Sequence, residues 1–346
     1  MVRSSRKSQK KAASGVAGTL LVLLLVLLGV AGGAAWLTLT PYGPSSETFV
    51  DVVPGTPAAR IGRQLESAGI LRSRYAFDLV RSYERGTLRA GEYRFDHPES
   101  VLEVYDHIRH GDVYTKTIVV PEGANIFDVA ARLEQAGFGP QQTFLDSAAR
   151  EVNLISDLDP AAKTLEGYLF PDTYRFPRKA TPEQIVIAMV KQFRQSTEKI
   201  GLKNNVHRVV TLASLVERES AIDAERPLVA SVFENRLAAK MPLMTDPSVI
   251  YGLELQRLWR GSIYASDLKR NTPYNTYLHA GLPPGPVANP GARSLRAAME
   301  PAKSNYLYFV AAGDNPQGHS IFSSTLEEHT RNVAAYRQAM KKAGGR

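Results

Sequence analysis

The stretch "VPEGANIFDVAARLEQAGF" (120–138) begins where a β-rich run, "KTIVV" (116–120), ends, and it reads as a turn followed by a helix. Val129 and Leu133 fall on one helical face, and Ala136-Gly137 supplies a glycine stop. An upstream stretch, "VPGTPAARIGRQLESAGIL" (53–71), repeats the order: after "TFVDVV" come Val-Pro, a glycine, Ile61 and Leu65 at helical spacing, and Ala68-Gly69. A β-turn-α unit thus occurs twice. Two copies are too few for a solenoid, which needs at least three, and predict a pair of small α/β subdomains at 47–115 and 116–180. Between them, "RAGEYRF" (89–95) reads as a strand and "SVLEVYDHIRHG" (100–111) as a helix closed by Gly111. His107 and His110 are three apart, a spacing that suits a metal. No further ligand clusters near them, and histidine at a helix C-terminus is favoured by the dipole alone, so no metal is predicted.

Upstream of the first unit the chain changes character. Ala12 to Ser46 contains no charged residue, and "GVAGTLLVLLLVLLGVAGGAAWLTL" (15–39) is apolar nearly throughout. A helix of that length crosses a hydrocarbon core of about 30 Å. It exceeds the 7–15 apolar residues usual in a signal peptide, although "GGAAW" offers small residues for a cut; an uncleaved transmembrane helix is the expectation. Arg3, Arg6, Lys7, Lys10 and Lys11 make residues 1–14 a basic tail, which the positive-inside bias places in the cytoplasm. The later part would then lie outside it. Removing these five charges from the net +8 leaves +3 on the other 335 residues, too little to argue for nucleic acid. The absence of cysteine fits an oxidising exterior but also many cytosolic proteins, and decides little.

From 181 onward the pattern is mainly helical, with helices expected at 182–198, 206–220, 225–239, 247–253 and 325–342 and a strand at 305–311. Six prolines between 273 and 301 impose a long irregular segment centred on "GLPPGPVANPG" (281–291). Irregular segments of this length are usually functional or disordered, and ring-rigid backbone beside "TPYNTY" (272–277) argues for order. "TLASLVERES" (211–220) places two carboxylates in a helix otherwise suited to burial. Glu217 shares a narrow, weakly polar face with Val210, Ala213, Ser214, Ser220 and Ala221, where lost hydration would raise its pKa as a general acid requires. Glu219 neighbours Leu212, Leu215 and Val216, with Arg218 and Arg226 as possible partners. A solvated salt-bridge face explains either residue as well. Asp246 is an obvious second carboxylate, yet Asp-Pro before an apolar run reads as a helix N-cap with proline at the first position. The chain has no phosphate-binding glycine loop, HExxH or G-x-S-x-G motif.

"LASLVERES" together with "VASVFENRL" (229–237), "LMTDPSVIYGL" (243–253), "TPYNTY", "GLPPGPVANPG", "YLYFVA" and "GHSIFSSTLEEH" (318–329) resembles the YceG-like family of endolytic murein transglycosylases. "LEGYLFPDTY" (165–174) and "RAGEYRF" match it upstream, in order. The resemblance implies an α+β fold: a transmembrane helix, one or more small LysM-like α/β subdomains, and a mainly helical catalytic domain at 181–346. It implies Glu217 as the catalytic acid, with Glu219 as support or runner-up, and cleavage of peptidoglycan glycan strands between N-acetylmuramic acid and N-acetylglucosamine.

In such a reaction one carboxyl group protonates the departing oxygen. It then takes the proton of the muramic acid C6 hydroxyl, which closes a 1,6-anhydro ring on its own C1. The nucleophile is intramolecular, so the second carboxylate of ordinary glycosidases is not required. Asn235, Asn275 and Asn289 are amides suited to acetamido and hydroxyl groups. Tyr251, Tyr274 and Tyr277 could stack on sugars, and Ser248 and Asp246 complete the expected substrate-binding set. Packing or turn formation explains each of these equally well, and Tyr168 and Asp172 read more readily as a turn. No cofactor is expected; partners would be glycan strands, the inner membrane and peptidoglycan synthases. Two rivals remain: a muramidase releasing a reducing end, and a membrane-anchored peptidoglycan-binding scaffold in which Glu217 is structural.

Overall fold

The computed structural model describes residues 5–312 and 319–344; the first four residues of the basic tail and Gly318 of the "GHSIFSS" motif lie outside the described residues. The chain divides into two units, 1–115 and 116–346. The elements of the first are α1 (Ser5–Leu39), β1 (Thr48–Val52), α2 (Ala58–Ser67), α3 (Arg74–Glu84), β2 (Gly91–Phe95) and α4 (Val101–His110). The helix α1 begins well before the expected span. Its stretch Gly18–Leu39 is long and apolar enough to cross a membrane, and none of it is buried by the protein.

In this unit β1 pairs antiparallel with β2, Thr48 opposite Phe95 and Val52 opposite Gly91. Alternation sends Val50, Val52, Tyr93 and Phe95 inward against Ile61, Leu65, Phe77 and Tyr105. The helix α4 starts with a reciprocal cap between Ser100 and Glu103 and ends at Gly111. His107 Nδ1 lies 3.3 Å from Glu99 Oε2, whereas the His110 Nδ1 bonds back to the Asp106 carbonyl, so the two rings do not converge.

The second unit contains β3 (Thr115–Val119, its first residue at the boundary), α5 (Ile126–Gln135), α6 (Gln141–Arg150), β4 (Thr173–Pro177), α7 (Pro182–Ile200), α8 (Val206–Glu219), α9 (Arg226–Ala238), α10 (Asp246–Leu255), α11 (Ala292–Met299), β5 (Tyr308–Ala311), β6 (Ser320–Ser323) and α12 (Leu326–Gly344). The strand β3 pairs with β4, and β5 pairs antiparallel with β6. The repeat seen in sequence is therefore longer than β-turn-α. Each copy runs strand, helix, helix, strand; of the second halves only the strand at 89–95 is legible in the sequence. Ile61, Leu65, Val129 and Leu133, the matched positions, are all buried.

One core joins 116–180 to the helices beyond it. Ile118, Val129, Leu133, Phe144, Tyr168 and Phe193 pack in the same cluster as Leu212, Val216, Phe233 and Leu295. At its centre lies α8, packed against α9, α10 and α11. Every residue from Val210 to Val216 is buried, so α8 is sheathed on all sides rather than along one stripe. No helix or strand occupies 256–291, yet Val287 to Gly291 are buried: the proline-rich segment is an ordered part of the core.

Candidate active site

Glu217 and Glu219 occupy the last turn of α8, with Ser220 already extended as the C-cap, so Ser220 and Ala221 leave the helical face expected for Glu217. A carboxylate there faces the negative end of the helix dipole and needs cations. The two residues find them differently. The Glu217 side chain is 4% exposed and gripped on both oxygens: Arg226 Nη2 stands 2.9 Å from Oε1, while Arg226 Nη1 at 3.3 Å and the Gly291 N–H at 2.9 Å donate to Oε2. Arg226, expected beside Glu219, sits at the start of α9, where the chain reverses and returns it to Glu217; it also reaches Asp223 and Glu122. A Cβ at 291 would meet the Glu122 carboxylate, which would have to swing aside to admit it.

Glu219 has no hydrogen bond or ion pair among the described residues. Burial pushes its carboxyl up to about 7; Asp246 adds to the rise, and Arg236 and Arg218 oppose it. It faces the junction of three elements. Arg236, in the last turn of α9, donates through Nε to the Leu307 carbonyl at 2.7 Å and through Nη1 to Leu243 at 2.8 Å. Burial lowers the pKa of Arg236. Asp246 stands at the first turn of α10 and accepts from the Tyr277 hydroxyl at 2.7 Å. The expected N-cap role of Asp246 is displaced by one residue: Thr245 is the extended capping position, Asp246 is already helical, and its side chain is directed to Tyr277.

The remaining expected ligands are mostly occupied by the protein itself. Asn235 donates to the carbonyls of Ser304 at 3.0 Å and Tyr306 at 2.9 Å, leading the chain into β5. Ser248 is fully buried between the Thr245 carbonyl and the Thr276 hydroxyl, each at 2.8 Å. The Tyr251 ring packs edge-on against Tyr274, and the Glu166 carboxyl lies close enough to act on its hydroxyl electrostatically. Asn275 ties Leu268 and Arg270 to the Tyr277 N–H. Asn289 is a staple: its Oδ1 accepts from the N–H groups of Gly167 and Leu169 at 3.0 and 2.9 Å, and its Nδ2 donates to Ala124 at 2.8 Å. Tyr168 bonds Asp159, and Asp172 accepts from the Thr173 N–H and from Gln192.

Two further acids of the second unit with raised pKa values, one buried and one half-buried, escaped the sequence. Glu166 accepts from the Ile126 N–H at 3.0 Å, its other oxygen lacks a partner, and burial pushes it up to about 8. Glu254, raised to about 7 by burial and by Asp128, accepts from Asn125 at 2.6 Å. "LEGYLF" carries Glu166 in an apolar run, and that isolation was its one visible signal. Among the described residues no group of three or more His, Asp or Glu converges as metal ligands do.

This arrangement can be set beside known proteins. The sequence profile of the YceG-like family matches residues 50–335. The chain belongs to the YceG-like family. A relative from Bacillus subtilis (strain 168), named endolytic murein transglycosylase, is 34% identical over 321 residues, covering 86% of this chain and 88% of that protein. One of the same name from Streptococcus pneumoniae serotype 2 is 31% identical over 334 residues, and the match spans 60% of its length. The 2.6 Å crystal structure of a yceG-like protein from Listeria monocytogenes superposes with a TM-score of 0.54 at 32% identity, covering 83% of this chain and 99% of that one.

Proposed function

We propose that this YceG-like chain is an endolytic peptidoglycan lytic transglycosylase in which Glu219 is the acid and base. The observation that carries the assignment is the state of Glu219: a desolvated carboxyl with no partner among the described residues, raised to about 7, so that it holds a proton near neutrality. Glu217, named by the resemblance, has both oxygens committed to Arg226 and Gly291 and is better suited to hold the end of α8 in place. The relatives' shared name supports the reaction class.

Neutral Glu219 protonates the glycosidic oxygen between N-acetylmuramic acid and N-acetylglucosamine as the C1–O bond breaks. The resulting carboxylate takes the proton from the muramic acid C6 hydroxyl, whose oxygen bonds C1. The acid is restored, and a 1,6-anhydro end and a new N-acetylglucosamine end leave. Asp246, held in the neighbouring wall by the Tyr277 hydroxyl, helps to keep Glu219 protonated; Arg236 fixes the Leu243 and Leu307 backbones around it. Asn235, Ser248, Tyr251, Asn275 and Asn289 then act by fixing loops, not by touching sugar. The helix α1 serves as an inner-membrane anchor with the N-terminus cytoplasmic. The enzyme thus cuts nascent strands near synthases and limits their length. The two small units are LysM-like in this reading, supported by their strand-helix-helix-strand order.

Purified chain incubated with uncrosslinked glycan should release 1,6-anhydro-ended fragments, and Glu219→Gln should lower the rate by about 10²–10⁴-fold. Reducing-end products would favour the muramidase reading; full activity in Glu219→Gln would refute the assigned acid.

A further inference from the structure

The helix α3 presents an apolar and aromatic stripe that nothing in its own unit covers. Tyr75 is 68% exposed, Leu79 50% and Tyr83 86%, spaced i, i+4, i+8 and therefore on one face. An adjoining face, Ala76, Phe77 and Val80, fills the core, so the apolar surface of α3 extends well beyond what the core covers.

Its place beside α1 indicates what covers the rest. The helix α1 packs against both α3 and α4. The apolar stretch Gly18–Leu39 spans 22 residues, about 33 Å at 1.5 Å per residue, against a hydrocarbon core of about 30 Å. The end of α1 therefore coincides with the membrane boundary, leaving no free helical stalk. Arg72, two residues before α3, stacks its guanidinium 4.6 Å from the Trp36 ring and 4.8 Å from the Tyr42 ring, pinning the start of α3 to that boundary. The two aromatic residues straddle the end of α1, where such side chains settle at headgroup level. Packed helices lie 8–10 Å apart, so an element touching the end of α1 lies at headgroup depth.

We infer that the Tyr75–Leu79–Tyr83 face of α3 lies in the phospholipid headgroup layer of the leaflet into which α1 emerges, as an interfacial amphipathic helix. Its charges suit that position. Arg74 bonds the Tyr75 hydroxyl at 2.9 Å, and Arg81 and Arg85 stand at the far end; of the two acids, Glu84 is engaged by Arg109, leaving Asp78. Basic side chains beside aromatic ones are the composition that binds anionic headgroups. The consequence is a second point of attachment that fixes the first unit's orientation on the membrane. The inference rests on the reading of α1 as a membrane span.

Because the chain has no cysteine, single labels can be placed cleanly. Full-length Leu79→Cys, Tyr83→Cys, Leu28→Cys and Lys199→Cys proteins, spin-labelled in nanodiscs containing phosphatidylglycerol, report depth from collisions with oxygen and with a water-soluble nickel chelate. The labels at 79 and 83 should sit within about 5–10 Å of the hydrocarbon boundary, with 28 deep and 199 in water. A deep 28 with 79 and 83 matching 199 would overturn the inference and leave the span intact. A water-exposed 28 would remove the span, and the inference with it.

Discussion

A carboxyl group that must give up a proton near neutral pH has to be kept from ionising earlier, and the protein bears that cost in stability. Glu219 shows the cost, since its pKa is about 7 when folded against about 4.3 for a free glutamate. Between those values the folded state binds the extra proton, so stability falls as pH rises through this range and the penalty is complete above 7. Glutamine cannot ionise. Glu219→Gln should therefore raise the urea midpoint at pH 8 while leaving it unchanged at pH 4, even as it removes activity. Glu217→Gln should do the reverse, because it takes the nearest carboxylate from the buried Arg226 guanidinium and leaves it only the longer contacts to Asp223 and Glu122; breaking such a pair costs about 3 kcal/mol, visible as a lower midpoint at pH 7. A loss of stability in Glu219→Gln at pH 8 would contradict this division of labour. Asp246 raises Glu219, so in Asp246→Asn the decline in rate above neutrality should move to lower pH; a pH–rate profile on soluble glycan checks it.

Elements carry a different kind of information. The existence and limits of α7 to α10 were legible from apolar spacing and stop signals, because helices in a core are selected for those patterns. The partners of their polar residues were not, because partnership depends on where the chain returns. Arg226 meets Glu217 only through the reversal between α8 and α9. Asp246 is freed from capping by a one-residue shift in the start of α10. Asn289 reads as an ordinary loop amide, yet it bonds to backbone groups at 124, 167 and 169. Truncating it leaves the Gly167 and Leu169 N–H groups unpaired in the interior, at about 1–3 kcal/mol each, while the Ala124 carbonyl keeps the backbone N–H of residue 289. Asn289→Ala should thus destabilise the second unit by about 3 kcal/mol or more in urea unfolding, and Asn289→Asp should recover part of that loss by keeping the acceptor. Equal stability of Asn289→Ala and the parent chain would remove the staple from the account.

At the scale of the whole molecule, the apolar run was plain in the sequence because it is long and uncharged, and the first half of each repeated unit because its spacing recurs. The single core joining 116–180 to 181–346 was not, since nothing local distinguishes a core shared by two segments from two separate cores. That difference bears on the role proposed for α1 as an anchor. The site at the end of α8 is held by α9, α10 and the proline-rich segment, all within 116–346. Removing residues 1–40 should therefore leave the rate on soluble, uncrosslinked glycan within about twofold of the full chain. The same truncation, exported to the cell exterior in place of the full chain, should lose control of strand length. Cleavage confined to the membrane surface cuts a strand while it is still short and emerging; a freely diffusing enzyme meets mature glycan throughout the wall. Chromatography of glycan strands from such cells should show the length distribution of cells lacking the protein. A distribution unchanged from that given by the full chain would mean that the site alone, without its tether, chooses where strands are cut.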